Sequence, residues 1–434
     1  MKKNKDLFFS ITMIILIIVV TMMECIQISK DNVVHSEVST TEQVVEVNSD
    51  DNKTESSAQN TEIVVITEST TITEGTTTTE STTTGTEDVD KYTEKDYQKN
   101  EIISSIIETM SIEEKVGQMF FIKNDGRFGP EILEDYPVGG IILFEGDLTG
   151  KTSDSLRKFT ESFQEKSSLP LLIGTDEEGG TVNRVSLFPK LADRPYQSPR
   201  AIYASGGFDL IEEDTHNKSK LLLSYGINVN FAPVCDLAGN KRDYMYNRSF
   251  SGDAELTSEY VSLVVAAMND EKIGSVLKHF PGYGNNGDTH KNIIRDKRAY
   301  DVFETEDFKP FIAGISEGAD CILVSHNIVE CMDEEWPASL SVEVHRLLRN
   351  ELSFNGVIIT DDLMMEGVSD YVSEEESAVQ AILAGNDMIL STYYDIQYNA
   401  VIEAVQKGII SEARLDDSLV KILGWKYDLG LLNK

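Results

Sequence analysis

Residues 273–290 read IGSVLKHFPGYGNNGDTH and combine a strand with a polar loop. The stretch begins as an apolar run, changes to Lys278-His279 where the strand would end, and continues through a loop with one proline and several glycines. It closes with Asp288-Thr289-His290. An Asp beside a His can fix the tautomer of the imidazole and stabilise its charged form. We therefore expect Asp288 and His290 to form a proton-transfer pair, with a loop histidine next to a capping aspartate as the alternative.

Apolar runs of strand length recur along the chain, and amphipathic stretches of helix length, such as residues 153–166, 256–269 and 342–352, separate them. Continuous apolar runs are typical of parallel strands that are buried on both faces. Their alternation with helices predicts an α/β fold with a single (β/α)8 TIM-type barrel over residues 92–434. An open doubly wound sheet is the alternative, because a sequence does not show whether the sheet closes. The eight runs are residues 119–122, 140–144, 171–174, 229–234, 275–279, 321–325, 357–360 and 388–391.

Polar residues stand at the ends of five of these runs. In a barrel these ends converge on the carboxyl rim, where the active sites of this fold lie. Strand alternation places Asp361 on the same side as Val357 and Ile359, so we expect it to face the interior as a nucleophile, with Asp362 turned aside. The five polar groups are Asp176-Glu177-Glu178, Asp236, Lys278-His279, Ser325-His326 and Asp361-Asp362.

Eight short motifs are distributed in order over residues 111–434. They are residues 113–119 (EEKVGQM), 176–184 (DEEGGTVNR), 230–236 (NFAPVCD), 248–250 (RSF), 278–282 (KHFPG), 337–339 (PAS), 360–363 (TDDL) and 422–431 (ILGWKYDLGL). Together they resemble glycoside hydrolase family 3, specifically its β-N-acetylglucosaminidase (β-N-acetylhexosaminidase) branch. The resemblance implies a retaining exo-glycosidase that hydrolyses terminal β-GlcNAc from cell-wall-derived or other glycans through a covalent glycosyl-enzyme intermediate.

The same resemblance implies a role for each candidate residue. Asp361 would attack the anomeric carbon, His290 would be the acid/base, and Asp288 would orient the histidine. Most retaining glycosidases use two carboxylates instead. No metal and no organic cofactor is implied. The residues expected to bind the terminal sugar are Asp176, Arg248, Lys278 and His279.

Two features depart from the family pattern. Tyr283 stands where the family usually has a histidine, and residues 284–288 are one residue fewer than usual. The alternatives within enzymes are another family 3 β-glycosidase, such as a glucosidase or xylosidase, and a glycoside phosphorylase. Outside enzymes, the alternative is a surface sugar-binding protein.

The amino-terminal part of the chain differs in composition from the rest. Residues 1–30 carry a lysine-rich start followed by an apolar run, which predicts a secretory signal or a membrane anchor. Residues 31–91 are rich in Thr, Ser and Glu and predict a disordered spacer. We therefore expect a location at the extracellular face of the cell membrane or secretion.

The charge of the chain bears on its partners. The formal net charge is −36, which argues against nucleic acid or an anionic membrane surface as a partner. We expect membrane contact only through the amino-terminal segment, and a monomer.

Overall fold

The computed structural model describes residues 94–287, 294–369 and 371–432. Eight parallel strands form one sheet in the order β8-β1-β2-β3-β4-β5-β6-β7. Their bounds are β1 Phe120–Lys123, β2 Gly140–Leu143, β3 Leu172–Thr175, β4 Val229–Asn230, β5 Gly274–Phe280, β6 Cys321–Val324, β7 Val357–Thr360 and β8 Ile389–Ser391. Every predicted run overlaps one of these strands.

The two outer strands of that order meet and close the sheet. Ile359 of β7 bridges in parallel to Met388, which precedes β8. The amide of Met388 also donates to the carbonyl of Ile358 at 3.0 Å. The (β/α)8 prediction is therefore confirmed, and the open doubly wound alternative is wrong.

Helices follow the strands around the barrel. The α-helices are α1 Glu94–Thr109, α2 Ile112–Gln118, α3 Glu145–Leu148, α4 Ser153–Lys166, α5 Pro199–Leu223, α6 Ala254–Glu271, α7 Tyr300–Val302, α8 Phe308–Ser316, α9 Val342–Arg346, α10 Glu366–Ser369, α11 Glu374–Ala384, α12 Tyr394–Gln406 and α13 Glu412–Asp428. The helix predicted over residues 342–352 begins as α9 and continues as the π-helical turn Leu347–Glu351. A second π-helical turn, Phe303–Asp307, joins α7 to α8. Three 3₁₀ turns are Pro130–Glu134, Tyr244–Asn247 and Ala338–Leu340.

Side chains fill the interior of the barrel. The rings of Phe121 on β1 and Phe231 after β4 meet edge to face with centroids 5.2 Å apart. A Cβ added to Gly174 on β3 would lie 2.6 Å from the Phe231 ring. Glycine at this position therefore leaves room for the two aromatic rings, which pack the barrel below its carboxyl rim.

The amino ends of the strands are covered by the first and last helices. Ile103 and Ile107 of α1 form a small apolar cluster with Leu419 and Leu423 of α13. A capping box begins α2, in which Ser111 and Glu114 satisfy each other's backbone amides. Packing therefore closes the amino end of the barrel. The carboxyl rim is the end that stays open.

Within the described residues, no helix combines the length and apolarity needed to cross a membrane. The predicted signal or anchor at residues 1–30 and the predicted spacer at residues 31–91 lie outside the described residues.

Candidate active site

A cavity of about 260 Å³ opens at the carboxyl ends of the strands. The five described residues that the sequence singled out for chemistry or sugar binding all border it. Aromatic and aliphatic side chains, including Phe144, Phe231 and Leu390, form the rest of its wall. The structure therefore brings these five residues together around one cavity. The five residues are Asp176, Arg248, Lys278, His279 and Asp361.

The three acidic residues that follow β3 do three different things. Asp176 borders the cavity and accepts from Nζ of Lys278 at 2.6 Å. Glu177 is fully buried, and its carboxylate accepts from the backbone amides of Arg184 and Val185 at 3.0 and 2.7 Å. Glu177 thus holds the loop after β3 in place, whereas Asp176 faces the cavity.

Glu178 binds two of the cationic side chains that border the cavity, Arg248 and Lys278. Its carboxylate accepts from Nε and Nη2 of Arg248 at 3.0 and 2.7 Å, and it lies 2.7 Å from Nζ of Lys278. Burial alone would raise the pKa of Glu178, but the charges and hydrogen bonds of Arg248 and Lys278 outweigh it and hold the pKa well below its usual range. The ionised Glu178 fixes both side chains in the orientation that presents them to the cavity.

Glu178 was not among the site residues predicted from the sequence. The motif DEEGG shows three consecutive carboxylates, but nothing in it indicates which of them lies under the two cations. The available signal was the number of cations around the rim, since buried lysine and arginine side chains require carboxylate partners.

His279 is held from both sides of its ring. Nη2 of Arg248 lies 3.2 Å from Nε2 of His279, and Asp236 lies 2.8 Å from Nδ1. Because the guanidinium can only donate, Nε2 must accept, and the proton is assigned to Nδ1, which donates to Asp236. Asp236 also accepts from the amide of Tyr283 at 2.8 Å. Asp236 therefore fixes both the tautomer of His279 and the chain that follows it.

Two consecutive residues of β5, Lys278 and His279, both border the cavity. Regular strand alternation would send them to opposite faces. The register of β5 against β6 shifts between Lys278 and Phe280, and a local irregularity of this kind re-aims side chains next to active sites. With this shift, Lys278 and His279 come to lie on the same cavity.

The two aspartates after β7 differ in burial and in their contacts. Asp361 is partly exposed, and its Oδ1 accepts from the amide of Asp362 at 2.8 Å. Asp362 also borders the cavity, but it is largely buried and its Oδ2 accepts from the hydroxyl of Thr392 at 2.5 Å. The carbonyl of Asp362 accepts from Nε2 of His326 at 3.1 Å. These contacts hold Asp362 in place and leave Asp361 as the more accessible carboxylate.

The predicted proton-transfer pair, Asp288 and His290, lies outside the described residues. Two other acids near the loop are occupied in structural roles. Tyr283 is 1% exposed, and its ring packs edge to face on His279 with centroids 5.3 Å apart. Glu177 binds the loop backbone. Neither of these side chains borders the cavity.

Among the described residues, no three His, Cys, Asp or Glu side chains are grouped so that they could hold a metal ion. The carboxylates of Glu178 and Asp176 are instead paired with arginine and lysine side chains.

Comparison with known proteins gives the family. Residues 111–424 match the glycosyl hydrolase family 3 N-terminal domain. The chain is 31% identical over 279 residues to a β-hexosaminidase of Xylella fastidiosa, an alignment that covers 62% of this chain and 80% of that relative. The chain therefore belongs to glycosyl hydrolase family 3 and is a glycoside hydrolase.

Solved structures share the fold. A family 3 β-N-acetylglucosaminidase from Paenibacillus sp. aligns with a TM-score of 0.68 at 31% identity, over 74% of this chain and 63% of that chain. This chain thus spans less than two thirds of the length of the Paenibacillus protein. A β-N-acetylhexosaminidase from Beutenbergia cavernae aligns with a TM-score of 0.65 at 26% identity, over 72% of this chain and 98% of that chain.

Proposed function

We propose that this glycosyl hydrolase of family 3 is a retaining exo-β-N-acetylglucosaminidase that removes terminal β-GlcNAc from cell-wall-derived or other glycans. One observation carries the proposal. Asp361, after β7, borders the same small cavity as Asp176, after β3, and Lys278 of β5. Strands four apart in an eight-stranded barrel lie on opposite sides, so a sugar held by Asp176 and Lys278 would present its reacting face to Asp361.

The polar side chains of the cavity can bind sugar hydroxyls without rearranging. Arg248 and Lys278 are pure donors, and Asp176 is a pure acceptor when ionised. Glu178 holds both donors at hydrogen-bonding distance from its own oxygens. Because these groups are already ordered, their interactions with a developing positive charge and its hydroxyl groups require little reorganisation during the reaction.

In the first half-reaction, a carboxylate oxygen of Asp361 attacks the anomeric carbon. The bond between that carbon and the glycosidic oxygen breaks, and His290 gives a proton to the departing oxygen. Asp288 orients the imidazole and stabilises its charged form before the transfer. The product is a glycosyl ester on Asp361 and a free aglycone.

In the second half-reaction, His290 takes a proton from water as the water oxygen attacks the anomeric carbon. The bond to Asp361 breaks and the carboxylate is regenerated. Two inversions at one carbon leave the sugar with its original β configuration. His290 ends the cycle protonated, ready for the next substrate.

The size of the cavity supports exo action. About 260 Å³ is below the roughly 300–1,000 Å³ of sites for drug-sized ligands. A space of this size suits one sugar ring with its substituents. The remainder of a glycan would extend out of the barrel.

The names of the relatives support the choice of sugar. The Xylella fastidiosa relative is a β-hexosaminidase, and the Paenibacillus protein is a β-N-acetylglucosaminidase. Both are 31% identical to this chain over the aligned part. We extend their sugar class to this chain as part of the proposal.

The test is a side-by-side assay on nitrophenyl β-GlcNAc, β-GalNAc, β-glucoside and β-xyloside, with and without phosphate. We expect the highest kcat/KM on β-GlcNAc, independent of phosphate, and β-GlcNAc as the first product by proton NMR. A preference for the glucoside or xyloside, a phosphate requirement, or an α-configured first product would each contradict the proposal.

We also propose that the enzyme acts at the extracellular face of the cell membrane or after secretion. The support is the lysine-rich start and apolar run of residues 1–30. Intact cells should hydrolyse a chromogenic glycoside that cannot enter them, and deletion of residues 1–30 should confine the activity to lysates. Equal activity of intact cells with and without residues 1–30 would contradict this location.

A further inference from the structure

Arg298 connects two stretches of chain that flank residues 288–293. Its Nη2 donates to the carbonyl of Gly282 at 3.0 Å, before those residues. After them, Nε and Nη2 donate to Oδ2 of Asp296 at 2.9 and 2.7 Å. One guanidinium therefore bonds the chain on both sides, and the bidentate contact with Asp296 fixes its plane.

A second carboxylate, from a different element, holds the same side chain. Nη1 of Arg298 donates to Oδ2 of Asp307 at 2.7 Å, and Asp307 ends the π-helical turn Phe303–Asp307. The ring of Phe303 lies 4.2 Å from the guanidinium carbon. Asp296 and Asp307 are 1% and 2% exposed at their side chains. Arg298 is thus anchored to the body of the barrel through buried, paired charges.

The glycines before residues 288–293 pack directly on this group. Gly284 has a φ of 55°, and a Cβ added to it would lie 2.5 Å from Cζ of Arg298. Gly282 has a φ of 120°, and its added Cβ would lie 2.4 Å from Oδ1 of Asp307. Both positions require glycine, because the backbone approaches the guanidinium and its partner this closely.

The two flanking stretches are also fixed to the rest of the site. On one side, the amide of Tyr283 donates to Asp236, which holds His279. On the other, the short strand Arg295–Asp296 pairs in parallel with Ile328–Val329. Arg298 is the described side chain that bonds both stretches at once.

We propose that Arg298 is a positioning residue for proton transfer, since it sets the separation of the two chain ends between which Asp288 and His290 lie. This inference rests on the proposed function, in which His290 is the acid/base. Arg298 itself touches neither the cavity nor the reacting atoms. We therefore expect its effect to be largest in the step that needs the proton.

The experiment compares Arg298→Met and Arg298→Lys on two β-GlcNAc substrates, one with a poor leaving group and one with an activated aryl group. Arg298→Met should lose roughly 10–10²-fold in kcat/KM on the poor leaving group, the scale expected for a misplacement of about 1 Å. The loss should be much smaller on the activated group, which departs without a proton. Added azide should restore part of the turnover, because an anionic nucleophile needs no base.

Arg298→Lys keeps the charge but loses the planar fork, so it should show the same leaving-group pattern at smaller size with less loss of thermal stability. It also provides a folded variant if Arg298→Met does not fold. Arg295→Met is the matched control. Arg295 lies three residues before Arg298, is 45% exposed at its side chain, donates to the carbonyl of Glu334 at 3.0 Å and to the hydroxyl of Tyr371 at 3.1 Å, and contacts Glu330 at 3.7 Å. Its kcat/KM should stay within about twofold of wild type on both substrates.

His290→Ala measured in parallel separates the two ideas. If His290→Ala shows the leaving-group dependence and the Arg298 variants lose equally on both substrates, the positioning role is wrong and the acid/base assignment stands. If His290→Ala itself shows no such dependence, both are wrong. Leaving-group dependence and azide rescue in both sets of variants support the inference.

Discussion

Two buried lysines at opposite ends of the barrel show how differently its two ends are built. Lys278, at the carboxyl end of β5, lies 2.6 Å from Asp176 and 2.7 Å from Glu178. Lys426, in α13, donates from Nζ to Oε1 of Gln118 at 2.6 Å, near the amino end of β1. Among the described residues, no carboxylate pairs with Lys426. Burial lowers the pKa of Lys426 to about 7.

The difference between the two lysines follows from the use of each end. At the carboxyl rim, Lys278 and Arg248 are paired with carboxylates, and these are groups that we propose bind a sugar. At the amino end, helices α1, α2 and α13 close the barrel by packing, and a lysine there contributes a hydrogen bond and bulk. In our proposal the same residue type binds substrate at one end and is structural at the other.

The sharpest way to break this comparison is to make the same substitution at both lysines. Lys278→Met should lose roughly 10²–10³-fold in kcat/KM on nitrophenyl β-GlcNAc, as for removal of one preorganised donor. It should also lower the free energy of unfolding by about 1–3 kcal/mol, because the buried Glu178 keeps only Arg248 as a close partner and the partly buried Asp176 loses its contact at 2.6 Å. Lys426→Met should leave kcat/KM within about twofold of wild type. Similar activity losses in both variants would contradict the division between the two ends.

A smaller effect is expected at Asp236, which holds the ring of His279. In Asp236→Asn, the side-chain amide has one oxygen acceptor, whereas the carboxylate has two. It cannot accept from both the ring of His279 and the backbone amide of Tyr283 unless the tautomer of the His279 ring changes. We expect kcat/KM to fall about 10–10²-fold, corresponding to about 1–3 kcal/mol for a disturbed buried hydrogen bond. Nitrogen NMR of the His279 ring checks the cause. A wild-type tautomer together with a full loss of activity would show that Asp236 acts in another way.

The smallest effect on activity and a positive effect on stability are expected for Lys426→Met. The folded-state pKa of Lys426 is about 7, below its ordinary value of 10.5. The unfolded chain therefore binds more protons between these values, and the free energy of unfolding of the wild-type protein rises with pH across pH 7–10.5. Below pH 7, burial of this lysine has its full cost, on the order of 5 kcal/mol at most.

Lys426→Met should therefore be more stable than wild type at pH 7, by that amount less the lost hydrogen bond to Gln118, and the gain should shrink towards pH 10.5. Chemical denaturation at several pH values measures it. Lys407→Met is the control, because Lys407 has a 59% exposed side chain and its ion-pair partner Glu403 is also exposed. A stability difference that does not change with pH would contradict a neutral buried Lys426.

The sequence predicted the fold because parallel strands buried on both faces produce continuous apolar runs. All eight runs overlap barrel strands. The site was also largely predictable, since Asp176, Lys278, His279 and Asp361 follow strands whose ends must meet. Closure of the sheet was not visible, because it depends on contacts between Ile359 and Met388 that no local pattern encodes.

The remaining features depend on three-dimensional detail. Glu178 stands between two other acids, and only the placement of Arg248 and Lys278 distinguishes it from Glu177. The register shift in β5 that aims both Lys278 and His279 at the cavity leaves no mark in the sequence. In the sequence, Lys426 is only a member of the motif at residues 422–431. Its burial was not predicted, because a lysine beside Trp425 and Tyr427 can equally extend to solvent.

The central claim is that Asp361 is the nucleophile of a retaining glycosidase. The direct measurement is to trap the enzyme with a slow fluorinated GlcNAc donor, digest it, and locate the added sugar by peptide mapping. We expect one equivalent of sugar on Asp361 and none on the Asp361→Ala protein, which should fold but show no turnover. A label on Asp362, or on no carboxylate at all, would contradict the account.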